Sequence, residues 1–182
     1  MTIAISYPQN PNIQSLEDWI QNPPDRTEWA NDTLVEKNGM TLKHSRVQSK
    51  LSRLWGNYKE SSGQGGEVYT EAPCRTNKQG RSPDVAYLTP ELVEQYGNEK
   101  VLPQSFPLIA EIVSPTDLAE EVIGKALEYL LSGAKEVWLV FPETQVILVL
   151  TQTTRKVFIA GEAIDTQIVL PGFSIQVEEL LN

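Results

Sequence analysis

The chain has 182 residues, 40% of them hydrophobic and 21% charged, with 24 acidic against 15 basic side chains and a formal net charge of −9. That length suits one domain with a sizeable core, and the acidity counts against a non-specific nucleic-acid binder, which needs clustered Lys and Arg to neutralise phosphates. A single cysteine, Cys74, and a single histidine, His44, are too few for a structural zinc centre.

No run of about eighteen apolar residues is available to cross a membrane. Met1 to Ser6 lacks the basic flank and apolar stretch of a signal peptide, so a lone cysteine points to a reduced cytoplasm. Basic residues gather in two places, Lys43, His44, Arg46, Lys50 and Arg53, and then Arg75, Lys78 and Arg81. Either a local basic surface or a solvated helix face accounts for them.

In chain order, Pro8, Pro11, Pro23 and Pro24 surround one short amphipathic segment, Ser15 to Gln21, with Ser15 as cap and Asp18 three residues on. Residues 1–27 therefore read as an N-terminal arm on a single domain spanning 28–182. A hairpin-like or irregular lead-in over 28–42 carries two turn formers, Asn31-Asp32 and Asn38-Gly39. Val47, Leu51, Leu54 and Tyr58, with Trp55 beside them, predict a helix from His44 to Lys59, stopped by Ser61 to Gly66.

The pattern then turns strand-like at Glu67–Ala72, Pro83–Leu88 and Pro107–Ser114, with a short helix at Pro90–Tyr96. Asp117 is the expected cap of a helix over Leu118–Leu131, closed by Ser132-Gly133. Glu136–Phe141 and Gln145–Gln152 are nearly unbroken apolar runs suited to buried central strands. Lys156–Gly161 and Thr166–Leu170 are further strand candidates, and Ile175–Leu181 a closing helical turn. This order predicts an α/β or α+β fold, a mixed sheet flanked by helices.

Two acids keep unusual company. Strand alternation puts Glu111 on the face shared by Ile109 and Val113, and Asp84 on the face shared by Ala86 and Leu88. A carboxylate in such a run costs several kcal/mol unless paired, protonated or bound to a cation. Either acid alone is a plausible strand-end residue or ion-pair partner. Together on adjacent strands, about 4.8 Å apart, they can reach one hard cation such as magnesium. Lys125 lies beside Leu118, Val122 and Tyr129 at the edge of the apolar arc of its helix. There it either snorkels to solvent or assists a metal-bound phosphate. Leu127 and Leu131 lie opposite that arc and offer a face to a partner chain or to the arm.

Arg81-Ser82-Pro83-Asp84-Val85-Ala86-Tyr87 resembles the Pro-Asp motif of PD-(D/E)XK nucleases. Ala110-Glu111-Ile112-Val113-Ser114-Pro115-Thr116-Asp117, followed by Lys125, Tyr129, Gly133 and Glu136-Val137-Trp138-Leu139-Val140, resembles the restriction-endonuclease-like Uma family, abundant in cyanobacteria. The resemblance spans roughly 28–175. It implies a restriction-endonuclease-like fold, and Mg2+ or Mn2+ held by Asp84, Glu111 and the Ile112 carbonyl. It departs from the superfamily pattern at Val113, where a lysine is usual, and makes Lys125 its migrated counterpart. It further implies an endonuclease cutting phosphodiester bonds of nucleic acid, DNA in the first place, and working as a homodimer. Arg81, His44, Gln48 and Glu36 are the residues it places near substrate. For His44 a capping role, and for Arg81 a rim salt bridge, are the alternatives. An inactive nuclease-like binding module and a metal-dependent hydrolase of another phosphate ester stay open, the first favoured by Val113 and the charge.

Overall fold

A computed structural model describes residues 13–37 and 40–182. The Asn38-Gly39 turn and the first twelve residues of the arm lie outside the described residues. Ser15 accepts from the Asp18 amide at 3.1 Å and starts α1 (Leu16–Gln21). The lead-in is a true hairpin, β1 (Thr27–Ala30) and β2 (Thr33–Glu36). Asn31 and Asp32 take φ of 52° and 58° there, the left-handed pair that a tight hairpin turn needs and that Asn and Asp tolerate.

Helix α2 (Leu42–Ser61) extends the predicted one at both ends, because Thr41 caps it by accepting from the His44 amide at 3.1 Å. His44 is thus in the first turn and is not the cap. There follow β3 (Glu67–Thr70), β4 (Cys74–Arg75), β5 (Gly80–Arg81), β6 (Val85–Leu88), α3 (Pro90–Tyr96) and β7 (Leu108–Ile112). Then come α4 (Ala119–Leu131), β8 (Glu136–Phe141), β9 (Val146–Thr151), β10 (Arg155–Ile159), β11 (Ala163–Asp165), β12 (Ser174–Gln176) and α5 (Val177–Leu181).

Two expectations are corrected. Asp117 does not cap α4, whose cap position is Leu118; its Oδ2 instead accepts from the Ser114 amide at 2.8 Å and closes the loop before the helix. Thr166–Leu170 is a loop rather than a strand, since the amides of Gln167 and Ile168 turn away from any neighbouring strand to the Glu136 carboxylate.

The main sheet has six strands in the order β10-β9-β8-β7-β6-β3. Only β7 and β8 run parallel, which requires a crossover, and α4 is that crossover. One face buries Val47, Leu51 and Trp55 of α2 against Trp138, with Leu180 of α5. The other buries Ala126, Tyr129 and Leu130 of α4 against Ala86, Ile109 and Leu139. A four-stranded sheet, β2-β1-β5-β4, stands beside it. Trp19 of α1 packs on this sheet, and a Cβ at Gly80 would meet the Trp19 ring at 2.3 Å, so only glycine fits. No described helix is long and apolar enough to cross a membrane.

Two basic residues of α2 face the C-terminal segment. Arg46 donates to the Leu181 carbonyl and Lys50 to the Glu179 carbonyl, while Lys43 pairs with Glu143. Cations at carbonyl-rich helix ends are favourable, so Arg46 and Lys50 already serve α5.

Candidate active site

Six segments converge on an open cleft of about 660 Å³ beside the second face of the main sheet. Asp84 stands just before β6, and Glu111 projects from β7 toward α4. Both are buried, at 3% and 8% exposure. Asp84 Oδ2 accepts from the Ile112 amide at 2.7 Å and from His44 Nε2 at 3.2 Å. Gln48, one turn along α2, donates to the Asp84 carbonyl at 3.0 Å and to Glu71 at 2.8 Å. The first turns of α2 therefore fix Asp84 from one side, while β7 fixes it from the other.

From α4, Tyr129 donates to Glu111 Oε1 at 2.8 Å. Lys125, one turn earlier, lies 3.1 Å from the same oxygen and donates to Glu28 at 2.8 Å. Asp84, Glu111 and Lys125 are thus brought together. Arg81 lines the same cleft, but its guanidinium is committed to acids: it grips Glu128 with two nitrogens, at 3.1 and 2.7 Å, and Glu28 with a third at 2.9 Å. These ion pairs lie inside the cluster, with the Arg81 side chain 12% exposed. Glu36 is exposed at the mouth of the cleft.

Two groups at the centre, buried Glu28 and half-buried Lys37, were not singled out from the sequence. Glu28 on β1 meets Arg81, Lys125 and the Ser82 amide. Lys37, just past β2, donates to Glu71 at 2.5 Å, to the Ser82 carbonyl at 2.7 Å and to Asp84 Oδ1 at 2.8 Å. Thr27-Glu28-Trp29-Ala30 could have been found by the logic applied to Glu111, an acid within a strand-forming run. For Lys37, beside a turn signal, the sequence offers no such mark.

Charge explains the protonation of the cluster. Burial alone would raise the Glu28 carboxyl, but Lys125, Arg81 and Lys37 override it and bring it down to about 2. Burial is likewise outweighed at Asp84, where the His44 hydrogen bond and the Lys37 charge hold the carboxyl far below the usual range. At Glu111 burial wins, helped by the Asp84 charge against Lys125 and Lys37, and the carboxyl is pushed up to about 7. Among the described residues, Glu28, Glu71, Asp84, Glu111 and Glu128 are met by Lys37, Arg81 and Lys125, with His44 on Asp84. Five acids thus share three lysine and arginine cations, and the Asp84 hydrogen bond and charge outweigh burial to raise the His44 imidazole.

These features suit a divalent cation. The Glu111 Oε2 oxygen has no partner among the described residues. Ile112 turns its amide to Asp84, and the N–H and C=O of one strand residue face the same side, so its carbonyl borders the cleft too. Among the described residues no three His, Cys, Asp or Glu groups gather as a ready-made cage. An oxygen set of two carboxylates completed by water or phosphate is how Mg2+ is usually held.

The family model described as "Uma2: Putative restriction endonuclease" matches residues 13–178. The fold is also that of a solved structure described as a putative nuclease belonging to DUF820, from Anabaena variabilis. The TM-score is 0.81 at 18% identity, over 92% of this chain and 97% of that one. No curated protein matches the chain.

Proposed function

Because the chain belongs to the Uma2 family, whose description is "Putative restriction endonuclease", we propose that it hydrolyses phosphodiester bonds of nucleic acid with Mg2+ or Mn2+ as cofactor. DNA is the first substrate to test. The observation that carries this reading is the pairing of Asp84 with a buried Glu111 whose Oε2 has no partner among the described residues, inside a cluster where acids outnumber lysines and arginines. Asp84, Glu111 and the Ile112 carbonyl would hold the cation. When bound, it supplies a more acidic water and charge neutralisation of the phosphate.

The chain's own residues do the rest. His44 and the Ile112 amide aim Asp84, and Tyr129 aims Glu111. Lys125, tethered between Glu28 and Glu111, presents an ammonium that orients the attacking water and offsets charge in the transition state. Arg81 acts through others: it anchors Glu28, which in turn positions Lys125. Leu118, Ile123, Leu127 and Leu131 leave an exposed apolar run on and beside α4, which supports pairing with a second copy. Light scattering at low concentration tests that pairing, and a strict monomer counts against it.

The functional test is digestion of plasmid, single-stranded DNA and RNA with Mg2+ or Mn2+, with chelator, and with Asp84→Asn. Cleavage that needs the metal and disappears in Asp84→Asn is expected. A second reading, a binding module without turnover, draws on the engagement of every cation of the cluster by an acid. Metal binding without cleavage of any of the three substrates would select it.

A further inference from the structure

The two carboxylates of the site are not equally available. On Glu111, Lys125 and Tyr129 share Oε1, and Oε2 has no partner among the described residues. On Asp84, Oδ2 is taken by His44 and the Ile112 amide, so Oδ1 is the oxygen left for a cation, and Lys37 sits on it at 2.8 Å. We infer that Lys37 is a resident counter-ion that competes with the divalent cation for Asp84 and thereby sets the metal affinity of the site. The inference rests on the metal reading above.

Lys37 is held by the fold and does not lie along the surface. Glu71 follows β3, Ser82 precedes Asp84, and Asp84 precedes β6; all three accept from its ammonium, which has three protons to give. Its side chain is only 15% exposed, so water screens the charge poorly. A cation bound to Asp84 Oδ1 would lie within a few ångströms of that ammonium, where like charges in a protein interior repel strongly. The incoming cation must displace Lys37 or tolerate it, and either lowers affinity. Without metal the same ammonium offsets Asp84 and Glu71 and stabilises the fold. Removing it therefore has opposite effects on two readouts, whereas loss of a merely structural lysine would depress both.

The experiment is calorimetric titration of Mn2+ into wild type, Lys37→Met, Lys37→Gln and Lys37→Arg at one pH and ionic strength, beside thermal melts of each without metal. Lys37→Gln keeps a donor for Glu71 and carries the test if Lys37→Met does not fold. Both neutral variants should bind Mn2+ about tenfold more tightly or better, with Lys37→Arg close to wild type and the metal-free melting temperature of Lys37→Met reduced. Neutral variants that bind no more tightly than a binding-competent wild type overturn the inference and leave the metal reading intact. Failure of wild type and both neutral variants to bind Mn2+ at millimolar concentration overturns both.

Discussion

Glu111 and Glu136 lie on the neighbouring parallel strands β7 and β8, each in an apolar run, and each is buried. Their surroundings answer the cost of burial in different ways. Glu136 Oε1 accepts from the Trp138 indole at 2.7 Å, and Oε2 accepts from the Gln167 and Ile168 amides at 2.8 Å each. Those donors are neutral, both oxygens are used, and the carboxylate staples a loop to the sheet. Glu111 is met by a tyrosine hydroxyl and a lysine, keeps one oxygen without a partner among the described residues, and has its carboxyl pushed up to about 7 by burial. A buried acid in a strand signals only that something must compensate it. Satisfied by amides it is a fastener; beside cations, with an oxygen to spare, it is a candidate site.

The comparison breaks most visibly in catalysis. Asp84→Asn and Glu111→Gln should reduce metal-dependent cleavage to background, while Glu136→Gln should retain turnover per folded molecule, with the folded fraction read by circular dichroism. If Glu136→Gln is as inactive as Glu111→Gln, the two acids do not differ in the way claimed. Next in size, Lys125→Met should lower turnover on the order of a hundredfold without losing Mn2+ binding; calorimetry on the same preparation separates the two.

Stability supplies the smaller effects. Glu136→Ala leaves a buried indole and two part-buried amides without their acceptor, at about 3 kcal/mol, which for a domain of this size lowers the melting temperature by roughly 6–12 °C. Metal should not rescue it. Glu111→Gln removes a charge that the metal-free cluster holds poorly, so its metal-free melting temperature should match or slightly exceed that of wild type.

Most long elements were legible in the sequence because periodicity carries them: α3 and β8 have the predicted bounds, and Val47, Leu51 and Trp55 pack inward as their spacing implies. The hairpin of β4 and β5 was not, since strands of two residues have no period; it is fixed by the Thr76 hydroxyl, which accepts from the Gln79 amide at 3.0 Å. Thr166–Leu170 misled because an apolar, strand-like run is held by the distant carboxylate of Glu136. In the site, Asp84 and Glu111 stand out by local contrast. Lys37 and Glu28 do not, because their meaning lies in partners 34 and more residues away. The same limit hid the difference between Glu111 and Glu136.

The central claim is that the Asp84–Glu111 cluster takes a divalent cation, and the most direct measurement is thermal unfolding with and without Mn2+ for wild type, Glu111→Gln and Glu136→Gln. Mn2+ should raise the melting temperature of wild type and Glu136→Gln but not of Glu111→Gln. An equal shift in all three, or none in wild type, would contradict it.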